Sequence, residues 1–536
     1  MSDYHIPIGE TIYQIYVRSF YDSDGNGVGD LSGIRQKLDY LKGSKESLGV
    51  DSIWLTPIYT SPMVDGGYDI ADHCSIDSLF GTMEDFKSLL RDAHHRKLKV
   101  IVDIVPNHTS NQHPWFIASR SSVSSPQRDW YVWRQAHPDG GPPNNWLSSF
   151  GGSAWQFDDQ TGEYYLHSFL KEQPDLNWRN PDVRKAMVDV VRFWLNLGVD
   201  GFRIDAVDRL AKDSQYRDEP PNPDYNPATD NPYQQLDHRY SKNGRLLYSY
   251  LHEIASIIDD FPGRFMITEG HPTEWDDADE YMKFYRKIDP VISAPINFEA
   301  IYASWNAQTF KSFIDEFQAS LKPSYVPLYS LGNHDEPRLA SRIGRRAARS
   351  AAVLQLSLPG TSIIYNGEEL GLVKADNNRH PDDGYAKNLP HKGVNRDLER
   401  SPLPWDTSKN SGFTTAHEPW MPIGVDNLGY SVAEQSDNPD SFLGLYRSML
   451  RIRHSSEVLT HGTYRSVDLH PDIFAFIREY QGYQWLVIIN FSDQHLSLQP
   501  DMAIDQLIFS THHREDQDFQ SELHVGAHEA LLLSVH

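Results

Sequence analysis

Acids and histidines recur at the ends of short apolar runs in this 536-residue chain. DIVPNH brings Asp103, Asn107 and His108, and GFRID brings Arg203 and Asp205. MITEG brings Glu269, LGNHDEPR brings Asn333, His334 and Asp335, and GGYDIADH brings Tyr68 and Asp69. A lone carboxylate at the end of a strand is usually a cap or one half of an ion pair, and Asp103 reads equally well as a brace. Several such ends brought to one mouth carry another meaning, because clustered carboxylates raise one another's pKa at a cost that chemistry can use. One ionised acid and one protonated acid in a cleft are the equipment for breaking a glycosidic bond. The first attacks or stabilises the sugar cation, and the second gives a proton to the leaving oxygen. In GFRIDAVDR side chains alternate, so Arg203 and Asp205 share one face and Phe202, Ile204 and Ala206 the other. A guanidinium two residues from Asp205 keeps that carboxylate ionised and aimed.

Positioning such ends requires a scaffold. Eight runs read as strands: 11–20, 51–57, 98–105, 201–205, 264–269, 291–298, 325–331 and 361–366. Helical patterns follow most of them, at 83–96, 181–198, 244–259 and 345–358. Pro181 suits a first helical turn and Gly198 a position just past the end. Eight strands alternating with helices predict a (β/α)8 barrel, whose function sits at the C-terminal ends of the strands. An open doubly wound sheet is the alternative, and no GxGxxG turn follows the first strand to favour it. The Trp-, Ser-, Gly- and Pro-rich stretch between the third strand and the helix at 181 is too long for a structureless loop and predicts a small inserted subdomain. Residues 367–440 are a second polar, Pro-rich insertion, and beyond 456 strands follow one another without helices. The expected organisation is a barrel from 1–107 and 178–456, a subdomain at 108–177 and a C-terminal antiparallel β-sandwich at 457–536.

Composition narrows the partners. A net charge of −25 opposes nucleic acid and anionic membranes and suits a neutral substrate. No apolar run reaches the roughly 18 residues of a membrane span, and the N-terminal stretch lacks a basic-then-apolar leader. The single cysteine, Cys74, makes an intrachain disulfide impossible. Together these readings predict a cytoplasmic protein. His94 and His95 read as a solvated helix end.

The motifs in order, DIVPNH, QPDLN at 173–177, GFRIDAV, ITEG and GNHDEPR, resemble the α-amylase family of glycoside hydrolases. TIYQIYVRSFYDSDGNGVGDLSGI, RSPLPWD at 400–406, SGFT at 411–414 and PWMP at 419–422 resemble its α-glucosidase and oligo-1,6-glucosidase branch. The resemblance runs over essentially the whole chain and implies the barrel, the subdomain and the β-sandwich. It implies that Asp205 is the nucleophile of a covalent glucosyl-enzyme, Glu269 the general acid and then base, and Asp335 the acid that stabilises the distorted transition state. Tyr68, Asp69, His108, Arg203 and His334 match residues that hold the terminal sugar, and Arg400 is a further candidate. The reaction so implied retains anomeric configuration, with Asp205 and Glu269 about 5–5.5 Å apart.

In this branch a Val after the nucleophile goes with α-1,6 preference and a smaller residue or Thr with α-1,4. Ala206 therefore points to maltose and short maltooligosaccharides. The segment DRLAKDSQYRDEPPNP departs from the branch pattern, which leaves the acceptor side unassigned. The expected partner is a small oligosaccharide or α-glucoside. The rival activities on the same scaffold are α-1,6-glucosidase, transglucosylase, and sucrose- or trehalose-acting transferase or isomerase. A non-catalytic relative or a sugar-binding protein would need a lost acid or an anchor, and all three acids are present.

Residues 22–30, DSDGNGVGD, place Asp22, Asp24, Asn26 and Asp30 at positions 1, 3, 5 and 9 of an EF-hand-like loop. The Val28 carbonyl falls at position 7, and Gly33 stands at 12 where the bidentate Glu belongs. A polar turn is one reading. The resemblance implies the other, one structural Ca2+, with Mg2+ as the alternative.

Overall fold

In the computed structural model each of the eight apolar runs contributes one parallel strand. The structure describes residues 5, 6, 8–270, 278–376, 381–390, 392, 394–514 and 522–536. The strands are β1 (Thr11–Ile15), β2 (Ser52–Leu55), β3 (Lys99–Ile104), β4 (Gly201–Ile204), β5 (Phe265–Glu269), β6 (Ser293–Asn297), β7 (Leu328–Ser330) and β8 (Thr361–Tyr365). They pair in sequence order, and β8 returns to β1 to close the barrel. The expected (β/α)8 barrel is therefore the fold, and the open sheet is excluded.

Register decides which acids meet. Arg203 lies opposite Asp103 on β3 and opposite Ile267 on β5, so Asp103 and Arg203 share a level of the barrel. Phe202 and Ile204 point the other way and are fully buried. A strand buried on both faces tolerates Arg203 because acids from neighbouring strands meet it.

The helix after the subdomain, Pro181–Leu197, starts on an Asn180 cap with Pro181 in its first turn and ends at Gly198 in the left-handed region, φ 101°. The helix expected at 345–358 runs to Ser357, and Gly344, with φ 80° outside the helical region, separates it from a short helical turn that begins at Leu339. Leu339 and Ala340 are buried, so packing holds the short turn before the kink. His94 is not simply solvated: its Nε2 lies 2.6 Å from Asp200, which also accepts from the Val100 N–H.

The inserted segment carries a helix, Pro114–Arg120, and a three-stranded antiparallel sheet around Val132, Trp146, Ala154, Trp155 and Leu166. A bridge between His108 and Asp175 brings its two ends together at the barrel mouth. At its root His73 Nδ1 and His113 Nε2 lie 3.3 Å apart and buried. Burial pushes His73 down to about 4 and His113 down to about 2. The unfolded chain binds protons at these sites from about pH 6.5 downward and the folded chain does not. Stability should therefore be fully present above that pH and fall as pH drops toward 4. His113→Asn keeps the helix cap now made by His113 to the Trp115 N–H. Its melting temperature should fall less between pH 7 and pH 5 than that of the unaltered chain, by differential scanning fluorimetry.

Beyond Ser455 the expectation of strands alone misses a short helix, Glu457–His461, after which five antiparallel strands form one sheet and Leu496–Leu498 pairs with Leu523–Val525 in a second. Strand alternation splits the five-stranded sheet. Phe474 and Phe476 join the barrel's core, while Ile473, Ala475 and Ile477 pack with Leu498, Leu523 and Val525 of the second sheet. The two layers make the expected sandwich. Among the described residues no helix is long and apolar enough to cross a membrane.

Candidate active site

One guanidinium organises three carboxylates. Arg203 Nη1 contacts Asp205 Oδ1 and lies 3.3 Å from Asp103 Oδ1, and Nη2 is 2.8 Å from Glu269 Oε1. The other Glu269 oxygen accepts from the Ala206 N–H at 2.7 Å. Ala206 supplies that N–H from the left-handed region, φ 46°, a strained conformation for a residue with a Cβ. The turn after β4 thus aims backbone at the acid from β5, a role that reading Ala206 by side-chain size alone misses.

One positive charge cannot balance three acids, of which Asp103 and Asp205 are buried and Glu269 is partly so. Asp103 is pushed up to about 6 by burial, against the pull of Arg203 and Tyr68. Burial raises Asp205 as well; Arg203 opposes this, and Glu269 and Asp103 add to it. Arg203 therefore orients Asp205 but does not restore it to an ordinary carboxylate, a correction to the expectation that it simply keeps Asp205 ionised. The cluster retains a proton more readily than isolated acids would.

Asp335 has the opposite environment. Arg400 Nη2 lies 2.7 Å and Arg396 Nη1 3.0 Å from its Oδ1, and His334 Nε2 lies 3.3 Å from Oδ2. Burial alone would raise it, but His334, Arg396 and Arg400 outweigh burial and hold it well below the usual carboxylate range. His334 is itself pushed down to about 3, by burial first, so above that pH the two guanidiniums carry the effect. The imidazole is stacked between Tyr16 and Tyr68, with the Tyr68 planes 5° apart. Tyr68 in turn donates to Asp103 at 3.1 Å. His108 is buried and neutral, pushed down to about 4 by burial, beside Phe169 and 3.1 Å from Gln173 Nε2. Asp205, Glu269, Asp335, Tyr68, His108, Arg203, His334 and Arg400 thus belong to one connected cluster.

Asp69 does not join it. Fully buried, it accepts from Ser61 Oγ and from the backbone N–H groups of Val64 and Asp65, so its oxygens are committed to its own loop. The acid this loop presents is Asp65, which pairs with Arg396 at 2.6 Å and accepts from Gln173 at 2.9 Å. Gly66 lets the loop approach, since a Cβ there would stand 2.9 Å from Tyr16 Oη. Arg396 also pairs with Asp383 at 2.6 Å and lies over the ring of Phe150. Asp65, Asp383 and Arg396 were not legible because they sit on loops without periodicity; Gln173 stood inside QPDLN with no signal for its contacts.

The Asp-rich loop lies after β1. One carboxylate oxygen each from Asp22, Asp24 and Asp30 falls within 4.8 Å of the others. Among the described residues no Lys or Arg pairs with any of these three. The Asn26 side chain is turned to Asp24 and to the Val28 N–H. Gly33 cannot carry the missing Glu, because an added Cβ would stand 2.0 Å from the Tyr21 carbonyl oxygen. Asp22 and Asp30 accept backbone and hydroxyl hydrogen bonds, and three clustered acids without such a cationic partner, on a loop bent at Gly25 and Gly27, fit a hard divalent cation.

A family model described as "Alpha amylase, catalytic domain" matches residues 14–462. The chain belongs to the α-amylase family. It is 37% identical to an oligo-1,6-glucosidase of Heyndrickxia coagulans over 91% of this chain and 93% of that one. It is also 37% identical to maltase 1 of Drosophila virilis, over 98% of this chain and 86% of that one. Among solved structures the α-glucosyl transfer enzyme XgtA superposes with a TM-score of 0.92 at 36% identity, covering 98% of this chain and 99% of that one. This α-amylase-family chain is a glycoside hydrolase of the branch that holds α-glucosidases and oligo-1,6-glucosidases.

Proposed function

We propose that the protein is a retaining, exo-acting α-glucosidase that releases terminal α-1,4-linked glucose from maltose and short oligosaccharides. The observation that carries this is the single Arg203 guanidinium holding Asp205 with one nitrogen and Glu269 with the other. Asp205 attacks C1 and forms a glucosyl ester as the glycosidic C–O bond breaks. Glu269 protonates the leaving oxygen. Esterification then removes the negative charge of Asp205 from the cluster, so Glu269, having given its proton, stays ionised and takes a proton from the attacking water. Asp335, kept ionised by Arg396 and Arg400, accepts from sugar hydroxyls as the ring distorts. The buried Asp65–Arg396–Asp383 ion pairs beside it support a pocket closed at one end, as an exo-acting enzyme needs.

Ala206 supports α-1,4 preference. The likeness to XgtA supports a second reading, transfer of the glucosyl group to a sugar in place of water. The test is a product-resolved assay on equal concentrations of maltose, maltotriose, isomaltose, sucrose and trehalose. Glucose released mainly from the first two, initially as the α-anomer, is the expected result. Dominant cleavage of isomaltose would overturn the linkage, and an isomerised disaccharide would replace hydrolysis by transfer.

Asp22, Asp24 and Asp30, with Asn26 and the Val28 carbonyl, would hold one Ca2+, with Mg2+ as the alternative. Bound there, the ion neutralises three acids and ties β1 to the loop that follows; it takes no part in bond cleavage. Chelation with EDTA should lower the melting temperature by several degrees and added Ca2+ should restore it. Asp22→Asn should abolish that response, and an unaffected melting temperature in the unaltered chain would remove the metal from the reading.

A further inference from the structure

The sequence leaves the acceptor side unassigned, and the structure offers a candidate beside the turn that carries Asp335. Among the described residues Tyr302 is an exposed large aromatic, 45% accessible, whose hydroxyl donates to Glu336 Oε1 at 3.1 Å. Glu336 follows Asp335 directly, and both take their backbone N–H bonds to Asn333 Oδ1 at 2.9 Å. The tyrosine therefore rises from the short helix after β6, Glu299–Tyr302, and is tied to the turn that carries Asp335. Its footing is fixed. Arg342 donates to the Ile301 carbonyl beside it, to Leu331 just past β7, and to Pro337 at 3.0 Å. Burial, Glu336, and then Glu269 and Asp335 push the Tyr302 hydroxyl up. An exposed tyrosine on a clamped backbone, its hydroxyl tied to Glu336 beside Asp335, offers a flat apolar surface to a sugar.

We propose that Tyr302, held by Glu336, is the platform on which the leaving or accepting sugar stacks, and that it sets the ratio of glucosyl transfer to hydrolysis. The inference rests on the α-glucosidase reading. In the transfer step an acceptor hydroxyl oxygen bonds to C1 of the glucosyl ester. The bond from C1 to the Asp205 oxygen breaks and its electron pair returns to the carboxylate, while the hydroxyl proton passes to Glu269. Tyr302 makes and breaks no bond; it raises the occupancy of a sugar over that of water at this moment.

The test compares maltose with α-glucosyl fluoride, whose leaving atom is too small to reach the platform. Tyr302→Ala should lower kcat/KM for maltose roughly tenfold more than for the fluoride. It should lower the transfer-to-hydrolysis ratio, measured with the fluoride as donor and glucose as acceptor, by about the same factor. Tyr302→Phe keeps the ring and should stay within about threefold of the unaltered enzyme on both measures. A parallel fall on both donors in Tyr302→Ala, or no change in either the ratio or the maltose constant, overturns the proposal. Failure of the unaltered enzyme to release fluoride at all would instead sink the glucosidase reading, and the proposal with it.

Discussion

Asp205→Asn is expected to lower turnover of maltose by on the order of 10⁴-fold or more while the chain stays folded. The amide fits the same space but cannot form the ester. Stability should be retained because Asp205 is a strained partner in the native state. Burial, Glu269 and Asp103 all disfavour its charge, and only Arg203 favours it. Removing one of three acids around a single guanidinium relieves more repulsion than it forfeits attraction. Melting temperature and steady-state rate measured on the same preparation separate these effects. A sharper form uses Asp205→Gly with α-glucosyl fluoride and azide. Azide entering from the side that Asp205 occupies should give the β-configured glucosyl azide, by a single displacement. Near-normal hydrolysis by Asp205→Asn, or an α-configured azide from Asp205→Gly, would remove Asp205 from the nucleophile's role.

The second large effect concerns Glu269. Glu269→Gln keeps the shape and one oxygen to accept from Arg203 or the Ala206 N–H, but it can neither give nor take a proton. Maltose hydrolysis should fall by about 10²–10⁴-fold. The loss should be uneven between steps. Fluoride leaves without a full proton, so α-glucosyl fluoride should show a burst of one fluoride per active site followed by a slow phase, because water then lacks its base. Mass spectrometry of the intact protein in the slow phase should find it heavier by one glucosyl unit. Glu269 pairs with Arg203 through one carboxylate oxygen and accepts from the Ala206 N–H with the other. The acid step requires a proton on Glu269, and the upward push on Asp103 and Asp205 favours keeping one proton in this cluster. A variant that relieves that push should move the basic limb of the pH–rate profile to lower pH. A loss equal on both donors and without a burst would make Glu269 a structural acid.

Much of the scaffold was legible before any coordinates. Alternation in GFRIDAV placed Arg203 and Asp205 on one face, and a strand's period of 2 leaves no other arrangement. Pro181 and Gly198 bounded their helix because a ring without an N–H and a residue free to take positive φ suit opposite helix ends. The eight runs and their helices foretold a barrel, since parallel strands must be joined by crossovers and eight close the sheet. The type and order of the acids, Asp205, Glu269 and Asp335, pointed to glycosidic chemistry, because residue identity alone sets which groups can trade protons.

The tertiary structure decided everything that depends on distance between segments remote in sequence. It alone shows that Arg203 is shared by three carboxylates from three strands and that Asp335 is held ionised by two arginines from the 367–440 insertion. It turns Asp69 inward and puts Asp65 against Arg396, a choice between two acids four residues apart on a loop where no periodicity tells which faces the cleft. It bends Ala206 into a left-handed turn whose N–H meets Glu269, although nothing in an alanine announces positive φ. Local pattern fixes which way a strand's side chains point; which charges share a buried space, and so how each acid titrates, is set only when the chain closes on itself.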